Sequence, residues 1–128
     1  MKKLLLLAGA AAFIATPALA DLPAELSVGQ THAGMAATQA DINMVHVHLQ
    51  HALNCLVGPT GAGFDAAHGN PCAKAFGNGA IADAADAGQK SKLEAAAASA
   101  RSGIASTDLA TAQKDAQATA DAIGSAKQ

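Results

Sequence analysis

Residues 80–128 contain only five large aliphatic side chains, Ile81, Leu93, Ile104, Leu109 and Ile123, in a stretch otherwise rich in alanine. That shortage constrains the fold more than any other feature. Alanine is the strongest helix former, and alanine faces let helices approach closely. Each alanine buries little apolar area, however, so this half cannot hold a core by itself. Two helices fit its spacing. One runs from about Ala80 to Ser102 and ends at Gly103, with the stripe Ile81, Ala85, Gln89, Leu93, Ala97, Ala100, Ile104. The other runs from about Thr107 to Ser125, with Ser106 or Thr107 as N-cap and the stripe Leu109, Ala112, Ala116, Ala120, Ile123. The short link between them makes an antiparallel hairpin.

The wall this hairpin needs lies upstream. Between residues 31 and 57, Met35, Thr38, Ile42, Val45, Leu49, Ala52 or Leu53, and Leu56 recur at steps of three and four. They form one apolar stripe of a helix, with Thr31 as candidate N-cap and Gly58-Pro59 as its stop. Residues 21–30, which include Pro23 and Gly29, read as a short lead-in. Residues 58–79 carry six glycines and two prolines and read as a loop. A loop that long inside a compact domain is unusual unless it is tied down or functional. Phe64 and Phe76 are candidates to plug it onto the helices. The expected fold class is all-α: a small up-and-down helical bundle of three main helices. The helix of about 31–57, the loop 58–79 and the Ala-rich hairpin of about 80–126 form a single domain, 21–128.

The first twenty residues read as a secretion signal. Lys2 and Lys3 precede an apolar run from Leu4 to Ala15, and Ala18-Leu19-Ala20 offers a small-x-small cleavage pattern before Asp21. The run is too short for a membrane-spanning helix. A bacterial periplasmic or secreted protein of 108 residues is expected, with no membrane association after cleavage. Without Lys2 and Lys3, six basic residues stand against ten acidic ones, a balance of −4. That offers no basic footprint for nucleic acid. The same segment lacks Trp and Tyr and has only two Phe, so stacking on bases or on a flat cofactor is poorly supplied. In an oxidising compartment the two cysteines, Cys55 and Cys72, are expected to pair and tie the loop. Closing a loop of that size contributes about 3 kcal/mol through the unfolded chain. A thiolate metal site is the alternative use of the pair. Neither cysteine lies in a CxxC or CxxCH motif.

The chemistry-bearing residues cluster upstream of the loop. Four of the five histidines and both mature methionines fall between residues 32 and 51. On a helix, Met44, His48, His51 and Cys55 step by four, three and four and share one face, with Asp41 at its edge. That face lies about 130° around from the apolar stripe, so it is not the core continued. Imidazole nitrogen suits copper, nickel and zinc, and thioether sulfur adds preference for Cu(I). Few carboxylates lie nearby, which disfavours calcium and magnesium. The expected metal residues are Met44, His46, His48 and His51, with His46 a second-site candidate and loop residue His68 able to reach across. Met35 reads as core, and His32 as a solvated residue at the helix start.

Three functions are compatible with this pattern. The first is a small metal-binding protein that sequesters or delivers an ion, copper first, then nickel or zinc. The second is a non-enzymatic interaction module that docks another periplasmic protein or self-associates, with the His row in the contact. The third is a haem-binding bundle, which the lack of His and Met in the last two helices disfavours. No nucleophile–base–orienter spacing or paired acid stands out, so an enzyme is not expected.

Overall fold

A computed structural model describes residues 20–75 and 77–128. The expected signal peptide, apart from its last residue, and Phe76 lie outside the described residues. The described chain is helical without strands: α1 (Leu22–Thr38), α2 (Ile42–Val57), the single turn α3 (Ala80–Asp83), α4 (Ala87–Ala105) and α5 (Leu109–Ala126). None of these helices is long and apolar enough to cross a membrane.

Each long helix starts on an aspartate. Asp21, Asp41, Asp86 and Asp108 accept hydrogen bonds from the backbone amides of Ala24, Asn43, Gln89 and Thr111 at 2.7–3.0 Å. These carboxylates satisfy amides that the helix leaves orphaned, and their charge suits the positive end of the helix dipole. They also locate the main departure from the expected architecture. The segment read as a single helix over 31–57 is two helices, broken at Gln39–Asp41, and the supposed lead-in 21–30 is the first half of α1. Pro23 sits in the first turn of α1, where its missing N–H costs nothing. Gly29 permits close helix contact, since a Cβ there would lie 3.4 Å from the Cys55 Cβ and 3.6 Å from the Ile123 side chain. The Ala-rich half departs less. Its first helix is split into α3 and α4, Gly103 lies within α4, and Asp108 rather than Ser106 or Thr107 caps α5.

The four long helices form a ring in which α1 packs on α2, α2 on α4, α4 on α5 and α5 on α1. Cross-bundle hydrogen bonds fix the directions. Gln30 donates to the Ala120 carbonyl and Gln113 to the Gln39 carbonyl, so α1 and α5 are antiparallel. The His46 ring meets the Ser106 carbonyl, near the point where a Gly103 Cβ would collide with Leu49, so α2 and α4 are antiparallel too. The bundle is up-down-up-down with four long helices rather than three. Val45, Leu49, Leu53 and Leu56 of α2 face Leu93, Ala96, Ala97 and Ala100 of α4 and Ala112, Ala116 and Ile123 of α5. The large residues of α2 thus supply the area that the alanine faces lack. Met35 is not core; its side chain is 42% exposed.

Residues 58–79 are shaped by two 3₁₀ turns, Ala66–His68 and Ala73–Ala75. The Cys55–Cys72 disulfide fastens the stretch to α2, and half-buried Phe64 packs on the core. At its ends the backbone of Gly58 touches that of Asn78 and Gly79 so closely that a Cβ on either glycine would collide; both glycines have positive φ, 68° and 101°. Its middle is held by Asn54, which is fully buried. The Asn54 amide nitrogen donates to the carbonyls of Asp65 (2.8 Å) and Gly69 (2.6 Å). Its oxygen accepts from the Asp65 amide and from Gln50, both at 3.0 Å. Gln50 also donates to the Gly63 carbonyl at 2.8 Å. Every hydrogen-bonding position of the buried Asn54 amide is used, as burial of such a group requires.

Candidate metal centre

The α1–α2 hairpin brings His32 against His48 and His51. In one continuous helix His32 and His48 would be about 24 Å apart. Folded back at Gln39–Asp41, their Nδ1 atoms are 3.3 Å apart. His48 and His51 are one turn apart on α2, and all three rings converge, with centroids 4.8–6.0 Å from one another. One ligand nitrogen from each of the three lies within 4.8 Å of the others. Two nitrogens bound tetrahedrally at about 2.0–2.1 Å from one ion are about 3.3–3.4 Å apart. His32 and His48 already have that separation. His51 has to close by up to about 1.5 Å, within reach of a side-chain rotation.

The protonation chemistry suits a cation. Partial burial, followed by the neighbouring imidazoles His51 and His48, lowers the pKa of His32. Burial, then His51, lowers that of His48. Both rings are therefore neutral near pH 7, the form that binds a metal. His51 is oriented from behind. Its Nε2–H donates to the His68 carbonyl at 2.7 Å, because a carbonyl can only accept. With Nε2 engaged in that bond, the nitrogen left to face a cation is Nδ1, which is buried and has no hydrogen-bond partner. An imidazole with one nitrogen anchored to a carbonyl and the other unpaired is the usual setting of a metal-ligating histidine. The anchor belongs to the loop that Asn54 and the disulfide hold, so the loop serves the site through its backbone.

Of the residues singled out in the sequence, His48 and His51 enter this group. His46 stays outside it, its Nε2–H donating to the Ser106 carbonyl at 2.9 Å, which ties α2 to the α4–α5 connection. Met44 sits one turn before His48, 41% exposed. The ring of His68 does not reach across; its Nδ1–H donates to Asp65 at 2.9 Å. Cys55 is in the disulfide and is no thiolate ligand. Asp41, read as the edge of the histidine face, is a helix cap. The residue that sequence reasoning missed is His32, which becomes visible once Asp41 is recognised as the start of a second helix. No family model, characterised protein or solved structure matches the chain, so the reading of this site rests on its geometry.

Proposed function

We propose that this protein binds a transition-metal ion, copper first and then zinc or nickel, and that it sequesters or hands over the ion in the periplasm or outside the cell. The observation that carries the reading is the buried, unpartnered Nδ1 of His51 beside the facing nitrogens of His32 and His48. Three imidazoles without a carboxylate among them form a borderline-soft nitrogen set, for which Cu(II) has the highest affinity among the divalent first-row ions. Three protein ligands leave a coordination position open, which suits an ion that is taken up and released. Such a site binds and does not require a catalytic group. The disulfide supports an oxidising compartment.

The test is metal titration of the protein purified without a histidine tag, with the bound ion measured by elemental analysis. One equivalent of Cu(II) or Zn(II) is expected, released as the imidazoles are protonated. His48→Ala with His51→Ala is expected to abolish tight binding while helix content persists. Equal binding by wild type and the double variant would refute the assignment.

A further inference from the structure

Among the described residues, the exposed large apolar side chains are Met35 at 42% and Met44 at 41%. Each lies about one helical turn from one of the imidazoles: Met35 is three residues after His32 on α1, and Met44 is four residues before His48 on α2. Because the two helices are antiparallel, both steps lead the same way, toward the Gln39–Asp41 corner. At about 1.5 Å per residue, Met35 lies about 4.5 Å from the level of His32 and Met44 about 6 Å from that of His48. The two methionines are therefore nearly level across the hairpin. They also share its outer side. On α1 the buried positions Gly29, Ala33 and Ala36 face inward, His32 lies at the edge of that face, and Met35 lies farther round toward solvent. On α2 the buried positions Val45, Leu49 and Ala52 face inward, and Met44 lies on the same outward flank as His48 and His51.

From this arrangement we infer that Met35 and Met44 form a thioether site for a monovalent soft ion, Cu(I), at the corner end of the hairpin next to the three imidazoles. The inference rests on the metal-binding reading above and specifies the oxidation state that enters there. A thioether is a soft, uncharged donor that favours Cu(I) over Zn(II), Ni(II) and Cu(II), whereas the imidazole set also takes divalent ions. Apolar packing gives no reason to leave two flexible methionines in water, since burying each would gain free energy. At an open metal site the same exposure is what admits the ion. The two donor sets then divide the work: the sulfurs accept Cu(I), and the imidazole one turn away provides the next nitrogen ligand without any change in the fold.

Silver(I), which does not change oxidation state, is the probe. The full protein is titrated with Ag(I) while the methionine ε-methyl and histidine ring resonances are followed by NMR, and separately with Zn(II). The expected result is that the Met35 and Met44 methyl signals move with the first equivalent of Ag(I). Met35→Leu with Met44→Leu should then weaken Ag(I) binding about tenfold or more while Zn(II) binding stays at the wild-type level. Both positions are exposed and leucine is a good helix former, so this variant keeps the fold. Unmoved methionine signals, or Ag(I) affinity unchanged in the double variant, would overturn the inference and leave the imidazole site standing. Methionine signals that respond to Ag(I) in a protein that binds no Zn(II) or Cu(II) would uphold the thioether site and overturn the three-imidazole reading instead.

Discussion

Replacing Glu25 by Gln is expected to stabilise this protein at neutral pH, although it removes a charge from a surface-rich small domain. Glu25 lies in the first turns of α1 and is only 2% exposed, and its Oε2 has no hydrogen-bond partner. The other carboxyl oxygen is pressed with Asp83 against Gly77, at the end of the loop. Burial first, and then the Asp83 carboxylate, raise its pKa from 4.5 to about 7, against the opposing pull of the Gly79 amide. The folded state thus holds a proton on Glu25 that the unfolded chain gives up above about pH 4.5. The stability from this group is complete below that pH, is lost as pH rises toward 7, and changes no further above it. At about 1.4 kcal/mol per pH unit the loss is roughly 3 kcal/mol. Glutamine has the same shape and never ionises, so it escapes the loss. Urea unfolding of both proteins at intervals from pH 4.5 to 8.5 measures it. The difference in unfolding free energy, variant minus wild type, should climb from near zero at the acid end to roughly 3 kcal/mol above pH 7. Taking the difference matters, because His32 and His48 tilt the wild-type curve the other way over part of this range. A difference that stays flat, or a variant less stable than wild type at pH 8, would refute the account of Glu25 as a buried, proton-holding carboxyl.

Further consequences concern the loop and the imidazoles. Asn54→Ala leaves the Asp65 amide and the Asp65 and Gly69 carbonyls without their partner. It should cost roughly 2–4 kcal/mol by chemical denaturation, and it should weaken metal binding about 10- to 100-fold, because the freed loop no longer holds the His68 carbonyl against His51. Reduction of Cys55–Cys72 should lower the stability by about 3 kcal/mol, read as a shift of the thermal or urea midpoint with and without reductant. The lowered pKa values of His32 and His48 mean that their contribution to stability is present above pH 6.5 and is lost only as pH falls through their folded values. Metal affinity measured by competition titration should therefore persist to a lower pH than that of an exposed histidine cluster, which loses its affinity as pH falls through about 6.5.

Much of this fold was legible in the residues. The alanine-rich hairpin followed from its spacing and its want of large side chains. The need for α2 as a wall followed from Val45, Leu49, Leu53 and Leu56, and the disulfide from an isolated cysteine pair in a chain with an export-like start. What escaped was the break between α1 and α2. Met35, Thr38 and Ile42 continue the step of three and four across the corner, and the periodicity of two consecutive amphipathic helices can stay in phase through a short turn. Gln39-Ala40-Asp41 contains no Gly or Pro to mark it; the one signal is an aspartate placed to cap, and aspartate is also common on exposed helix faces. That single ambiguity moved Met35 into the core, left Gly29 without a reason and took His32 out of the site. The contact that His46 makes was illegible for a different reason. The three-residue neighbourhood of His46 resembles that of a ligand, but its partner is a backbone carbonyl 60 residues away, and long-range partners of this kind leave no local pattern. The buried Asn54 is similar: its four hydrogen bonds are all made across the fold or to Gln50, and the dipeptide Asn54-Cys55 gives no hint of them.

The central claim is that the metal centre is built between two helices, with α1 contributing His32 to the pair His48 and His51 on α2. Metal titration of His32→Ala beside wild type, followed by isothermal calorimetry with Zn(II) and Cu(II), tests it most directly. His32 is half-buried and makes its polar contact only with His48, so its removal spares the fold, which far-UV circular dichroism checks. The account predicts that the variant loses binding by about tenfold or more, with the metal no longer raising the unfolding temperature. A variant that binds as tightly as wild type would show that His32 is a bystander, and that any ion here is held by α2 alone.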